Sequence, residues 1–339
     1  MRLGGFASRS VFLLFGIALA ALTLGCPKKD EIVRPTVGPK LPDAEIDRDP
    51  LALLPGGMVG LVYVDAKQLF AAPFGQKLLA VLRSRSPLPA AAGFDPGRDV
   101  DRAYIGFYSM QGADVAAVVQ GRFDAQRIEQ AASGTATTPL GAPVVRAEYA
   151  GHSLYVARNL GFVVLTPRSV LIGNETAIRR ALDRIKEGRA VRRVPDWLVK
   201  LIETPDVPMA GGGDLRVQPT TEAVRQELQF LNGLETIRML GNFKDPGLNF
   251  AGTLSYETEE AAQKGAGALT ELKTTLQTYG WLIALLGVSQ PVRRLEAQPK
   301  GKEAQFVVGI DGQAIGQLLD KLASFTSDAA SPPPSGMSR

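Results

Sequence analysis

The chain contains one cysteine, Cys26, and one histidine, His152, which limits the chemistry that its side chains can do. A Ser-His-Asp triad could be built only around His152, which follows Ala150 and Gly151 in a segment that we predict to be a hairpin turn. We therefore expect His152 to be an exposed turn residue. The sequence also lacks the paired ligands of a structural zinc site, a GxSxG elbow and a GxxxxGK[ST] loop. These patterns predict that the protein is not an enzyme.

The most concentrated set of oxygen ligands is Asp95, Asp99 and Asp101, within the turn-rich segment GFDPGRDVD. A calcium ion takes about six to eight oxygens, so three carboxylates on one loop could begin a calcium site. An Asp-Pro-Gly turn is ordinary loop chemistry, however, and Arg98 and Arg102 are near enough in sequence to neutralise the acids. We therefore predict no metal site and no cofactor.

Two further segments could take part in binding. Residues 211–214 read Gly-Gly-Gly-Asp and could let a ligand approach the backbone, although glycines inside a strand are more typical of a bulge. Residues 279–286 read YGWLIALL and are the most apolar stretch after the N-terminal region. As part of a long helix over 259–286 they could line a groove for a hydrophobic ligand, whereas the more usual role of such a stretch is to form core.

The N-terminal residues have the pattern of an export signal. Arg2 and Arg9 precede an uncharged apolar run over 11–24, which is shorter than the roughly 20 residues needed to cross a bilayer. The run closes with LTLGC at 22–26 and resembles the lipobox of bacterial lipoproteins, in which a small residue precedes an invariant cysteine. The resemblance implies that the signal is cut between Gly25 and Cys26 and that the Cys26 thiol carries a diacylglyceryl group.

Thr23 departs from the lipobox pattern, which usually has leucine at this place. The absence of a second cysteine favours the lipoprotein interpretation, because exported cysteines usually pair and acylation would remove a lone reactive thiol. An ordinary secretory signal and an uncleaved anchor helix are the alternatives. Pro27 is not the Asp that resembles an inner-membrane retention signal, so we expect the protein at the outer membrane of a two-membrane cell.

Composition excludes one class of partner and sets the size of the folded part. The 339 residues carry a net charge of +4, and removal of residues 1–25 would lower this to near +2. No cluster of lysines and arginines is interleaved with aromatic residues, so we predict no nucleic-acid binding. The proline-rich and charged segment 26–50 predicts a disordered tether, and 326–339 a disordered tail.

The segment between them predicts two related halves, at 51–190 and 191–325, joined through a link at 195–203. Each half has the order strand, helix, hairpin, helix, hairpin, helix, which indicates an internal duplication. In the first half the strands fall at 58–65, 102–109, 115–122, 144–149, 153–157, 162–166 and 170–173. In the second half they fall at 208–215, 236–243, 248–256, 292–298 and 304–310. Hairpin-paired strands predict an α+β fold with antiparallel sheets, helices on one face and ferredoxin-like split β-α-β elements.

The body also resembles a loose group of uncharacterised exported bacterial proteins and lipoproteins. The resemblance rests on LPGGMVGLVYVD, PFGQKLL, GFDPGRDVD, VVQGRFDAQRIEQA and LIGNETAIRRALD. These motifs are strand ends, caps and turns, and the group implies no reaction. We therefore expect a lipid-anchored envelope module that binds or scaffolds another envelope component. The alternatives are a carrier of a hydrophobic ligand beside the 259–286 helix and an envelope hydrolase.

Overall fold

The computed structural model describes residues 41–86, 88–109, 114–133, 136–139, 141–218, 220–278 and 289–329. Gly25 and Cys26 lie outside these residues, as do 279–286 of the predicted groove. No helix within the described ranges is both long and apolar enough to cross a membrane.

The described residues contain helices and strands, with short 3₁₀ turns at Ala90–Ala92 and Gln229–Leu231. The helices are α1 (Asp43–Arg48), α2 (Pro50–Leu53), α3 (Ala66–Ala71), α4 (Gly75–Ser84), α5 (Pro96–Asp99), α6 (Ala125–Ala131), α7 (Glu175–Lys186), α8 (Asp196–Ile202), α9 (Glu222–Glu227), α10 (Glu259–Thr278) and α11 (Gly312–Ala329). The strands are β1 (Gly60–Asp65), β2 (Val100–Phe107), β3 (Val115–Gly121), β4 (Val145–Tyr149), β5 (His152–Ala157), β6 (Leu160–Thr166), β7 (Ser169–Gly173), β8 (Met209–Asp214), β9 (Leu234–Asn242), β10 (Gly247–Tyr256), β11 (Val292–Lys300) and β12 (Glu303–Asp311).

The twelve described strands form one antiparallel sheet, in the order β11-β12-β10-β9-β8-β1-β2-β3-β7-β6-β5-β4. This confirms the predicted α+β class. Strands from both predicted halves belong to this sheet and meet where β1 pairs with β8, from Gly60–Gly213 to Val64–Met209. Outward from that junction the order is β1-β2-β3-β7-β6 on one side and β8-β9-β10-β12-β11 on the other, with the β4-β5 hairpin added to the first side.

A split β-α-β element is present in the second half. The chain leaves β10, passes through α10 and returns as β11, while β12 lies between these two strands and is antiparallel to both. In the first half the corresponding path from β3 to β6 runs through α6 and then through the β4-β5 hairpin before β6 forms. The ferredoxin-like expectation thus fits the second half more closely than the first.

Both faces of the first half of the sheet are covered. Val118 of β3 packs in one cluster with Ile178 of α7, whereas its neighbour Val119 packs in another with Leu79 of α4. Successive side chains of a strand point to opposite faces, so α7 and α4 lie on opposite sides. We call these sides the α7 face and the α4 face. The prediction of helices on one face was therefore wrong for the first half.

Strands β10 and β12 have their described helices on the α4 face alone. Leu254 of β10 packs with Ala262 of α10, and Leu248 of the same strand packs with Ile315 of α11. On the α7 face these strands carry Ala251 and Gln305, both of which are exposed. This polar and small-residue surface suits contact with water, so the one-face prediction holds for this part of the sheet.

The ends of the folded body extend further than predicted. Residues 41–50 were assigned to the disordered tether, but they contain α1, and Leu41 and Ile46 are buried in the cluster around α7. The prediction failed because these apolar side chains find partners distant in sequence. At the other end α11 continues to Ala329, so 326–329 are helical and not the start of a disordered tail.

The glycines of β8 allow close packing and form no bulge. Residues 209–214 pair with β1 and with β9 without a register shift, so the predicted bulge was wrong. A Cβ built on Gly212 would lie 2.9 Å from the Trp197 ring and 3.0 Å from a Leu198 methyl group. Glycine at this position therefore lets α8 lie directly on the strand.

Candidate functional site

A polar cleft opens at the ends of two central strands, where β1 ends and β2 begins. Its main cavity has a volume of about 510 Å³. The charged and aromatic residues of its wall are Arg48, Asp49, Tyr63, Asp65, Arg102, Tyr104, Arg192, Glu203 and Asp206. They come from α1, the start of α2, the two strands, and the segments before and after α8. The cleft is therefore assembled from parts distant in sequence.

A second cavity of about 250 Å³ adjoins the first, and Arg48 and Arg102 line both. Its wall also contains Asp47, Asp101 and Arg168. We call the two cavities together the arginine cleft. Arg168 reaches it from the turn between β6 and β7, so the smaller cavity lies over the ends of neighbouring strands.

Arg48 is held in place because its neighbour Asp47 docks α1 on the sheet. The Asp47 carboxylate accepts hydrogen bonds from the Thr166 hydroxyl at 2.6 Å and from the Ser169 hydroxyl at 2.7 Å. The side chain of Gln120 donates to the Asp47 carbonyl oxygen at 2.7 Å. Residues at the ends of β3, β6 and β7 thereby fix α1, the helix that carries Arg48.

Ion pairs occupy some of the charges of the cleft and leave others unpaired. Arg192 pairs with Asp49 and with Glu203, each at 2.8 Å. Lys67 pairs with Asp101 at 2.7 Å, and this ion pair holds the pKa of the Asp101 carboxyl below its usual range.

Three arginines of the cleft have no such partner. Within the part of the chain that the structure describes, Arg48, Arg102 and Arg168 form no ion pair with a carboxylate. All three side chains are exposed, and all three line the smaller cavity. The Arg102 side chain also hydrogen-bonds the Tyr104 hydroxyl, and the remaining guanidinium donors of the three arginines are available to a ligand.

Two tyrosines form part of the wall of the main cavity. The rings of Tyr63 and Tyr104 lie with their centroids 5.3 Å apart at an interplanar angle of 46°. Burial raises the pKa of both phenols, and Arg102 beside Tyr104 opposes this effect only in part. Both hydroxyls are therefore protonated at neutral pH and act as hydrogen-bond donors, not as phenolate nucleophiles.

The residues singled out as possible calcium ligands are paired with cations. Asp95 accepts hydrogen bonds from the backbone of α5 and pairs with Arg83 at 2.7 Å, while Asp99 pairs with Arg98 at 2.6 Å. Among the described residues no group of three or more potential metal ligands comes together. The arrangement gives the calcium alternative no support.

His152 begins β5 and pairs across the hairpin with Tyr149. The described part of α10 lines neither cavity of the arginine cleft. The segment 279–286 lies outside the described residues, so the proposed groove for a hydrophobic ligand stays a prediction.

Sequence reasoning missed the arginine cleft. Arg102 was noticed only as a neighbour of acidic residues, and Arg48 lay in the segment assigned to the tether. Arginines at strand ends were a signal, but their convergence depends on the order of strands in the sheet. That order is not visible in the local pattern.

Comparison with known proteins identifies the fold. No model of a protein family matches the chain, and no curated protein matches it either. Solved structures of TP0453 do match. The chain shares the fold of TP0453. Crystal form III superposes with a TM-score of 0.52 at 10% identity, covering 81% of this chain and 98% of that one.

Crystal form I of TP0453 gives a TM-score of 0.50 at 10% identity, covering 81% of this chain and 97% of TP0453. The likeness therefore extends over almost the whole of TP0453. At this level of identity it concerns the path of the backbone, and the side chains of the arginine cleft have to be interpreted from this chain alone.

Proposed function

We propose that this chain is an exported, lipid-anchored protein of the cell envelope that acts as a binding module and not as an enzyme. The observation that carries the binding role is the chemistry of the arginine cleft. Arginines stay protonated in proteins, and the raised pKa values of Tyr63 and Tyr104 keep their hydroxyls protonated. In the smaller cavity, where three arginines outnumber two carboxylates, such groups attract and orient an anionic ligand.

The proposed anchor is the lipid on Cys26. Its support is the LTLGC run at 22–26 and the lack of any other cysteine. Burial of a lipid chain in a bilayer contributes about 0.8 kcal/mol per CH₂ group, and two or three chains hold a protein stably. The proposed location is the outer membrane, with another envelope component as the partner.

The anchor is tested by replacing Cys26 with serine and fractionating the cells. We expect the unaltered protein in the membrane fraction, with the mass of residues 26–339 plus a diacylglyceryl group, and Cys26→Ser in the soluble fraction. Thr23→Leu, which restores the usual lipobox residue, is the matched control and should stay membrane-bound. An unlipidated mass, with Cys26→Ser fractionating as the unaltered protein does, would refute the anchor.

We also infer that the two halves arose by duplication. The support is the matching order of strands outward from the β1–β8 pair, with the β4-β5 hairpin as an insertion in the first half. The last helices differ, because α7 packs on one face of the sheet and α11 on the other. On this proposal the two halves diverged after the duplication, so that their final helices, α7 and α11, now cover opposite faces of the sheet.

A further inference from the structure

We propose that the smaller cavity of the arginine cleft binds the phosphate group of a phosphate monoester. This ligand class rests on the binding role proposed above and does not depend on the lipid anchor. The site would be formed by Arg48, Arg102 and Arg168, whose side chains line one cavity of about 250 Å³.

The charges around this cavity favour an anion. Its wall carries three guanidinium groups and two carboxylates, those of Asp47 and Asp101. The Asp101 carboxylate is already paired with Lys67, and that of Asp47 accepts hydrogen bonds from two hydroxyl groups. A net positive charge is left, concentrated on groups without an ion-pair partner among the described residues.

Guanidinium groups suit phosphate in geometry as well as in charge. Each presents a planar set of N–H donors that can contact two phosphate oxygens at once, and such charge-assisted hydrogen bonds are the stronger kind. The cavity has about the volume of eight water molecules. That is enough for one phosphate group with some water.

The larger cavity explains why we propose an ester and not the free ion. Arg48 and Arg102 form the boundary between the two cavities. A phosphate held there would direct its esterified group into the larger space. Tyr63 and Tyr104 line that space, and their protonated hydroxyls can donate to a polar alcohol or headgroup.

The same chemistry could come from a soluble phosphate monoester or from phosphatidic acid, the phospholipid whose phosphate is a monoester. Titration calorimetry on the full chain in detergent separates these sources with two probes, glycerol 3-phosphate and monomeric dihexanoyl phosphatidic acid. We expect binding at low ionic strength that weakens as sodium chloride is added, because the contacts are solvent-exposed and charged. Similar affinities would indicate that the phosphate alone is recognised, and much tighter binding of the lipid would indicate a headgroup site.

Two substitutions locate the site. Arg102→Gln and Arg168→Gln should each weaken binding of the better probe by about tenfold or more, since each removes a charge-assisted contact. Arg238→Gln makes the same change of charge at an exposed arginine that lines neither cavity, and should leave the affinity unchanged. Thermal unfolding of every variant checks that it is folded. Glycerol 3-phosphate should raise the melting temperature of the unaltered protein.

No binding of either probe at low ionic strength would overturn the proposal. So would binding that Arg102→Gln, Arg168→Gln and Arg238→Gln reduce equally. The fractionation of Cys26→Ser is measured separately, so failure of the anchor leaves this titration unaffected. Conversely, absence of binding in the titration would refute the phosphate site, and the lipid anchor would still be decided by the fractionation of Cys26→Ser.

Discussion

Asp47 shows how one side chain can bring a segment into the fold. Thr166 and Ser169, which donate to its carboxylate, are 3% and 0% exposed. They lie 119 and 122 residues away in sequence. The charged and proline-rich composition around Asp47 predicts a tether, and nothing local reveals these partners. The sequence could therefore predict the polar character of Asp47 but not its role.

Removal of this carboxylate should destabilise the protein. In Asp47→Ala two buried hydroxyl groups lose their acceptor, and an unsatisfied buried polar group costs about 1–3 kcal/mol. We expect a loss of about 2–3 kcal/mol in the free energy of unfolding, measured by urea denaturation. Glu45→Ala, on the exposed side of the same helix, should cost about 0.5 kcal/mol or less. Equal losses in both variants would mean that Asp47 does not hold α1.

At the scale of elements, the positions of helices and hairpins were largely predictable, but their faces were not. The pattern beginning at Asn174 predicts a helix with Ile178, Leu182 and Ile185 inward, and all three are buried in α7. The strands predicted at 236–243 and 248–256 are likewise present as β9 and β10, which pair as neighbours in the sheet. The face of the sheet on which each helix packs depends on contacts between elements, which a local pattern does not contain.

Two glycines on different elements should respond to the same substitution in opposite ways. Gly212→Ala places a methyl group against α8 and 2.7 Å from the Ile237 carbonyl oxygen, and overpacking of this kind costs about 1–3 kcal/mol. Gly267→Ala meets nothing within 4 Å inside α10 and should gain about 0.5–1 kcal/mol from helix propensity. Urea denaturation measures both. A stable Gly212→Ala variant would show that α8 does not constrain β8.

At the scale of the whole molecule, the β1–β8 pair decides whether the two halves unfold together. The pair lies in the middle of the sheet, and its residues Leu61 and Ala210 are buried in one cluster with residues of α7 and α8. A further link is the ion pair between Lys77 of α4 and Asp320 of α11, at 2.5 Å. We therefore expect one cooperative unit, although the sequence alone suggested two halves.

Hydrogen exchange followed by mass spectrometry tests this expectation. Ala210→Pro removes a backbone donor from a central strand and should speed exchange in both β3 and β10 by a similar factor. Val145→Pro is the matched control in the outer strand β4, where the side chain is 61% exposed, and should affect β4 and β5 alone. Faster exchange in β10 with none in β3 would show that the halves unfold independently.

The two outer strands of the sheet bear on whether copies of the protein associate through their sheet edges. Within the described residues it ends in β4 on one side and β11 on the other, and the outer backbone groups of such strands could pair with another copy. On β11 the exposed side chains include Arg293, Arg294 and Glu296, while β4 carries Arg146 and Glu148. Charges along a free edge make it costly for a second strand to add there. We therefore expect these charges to oppose pairing of sheet edges when the protein is concentrated.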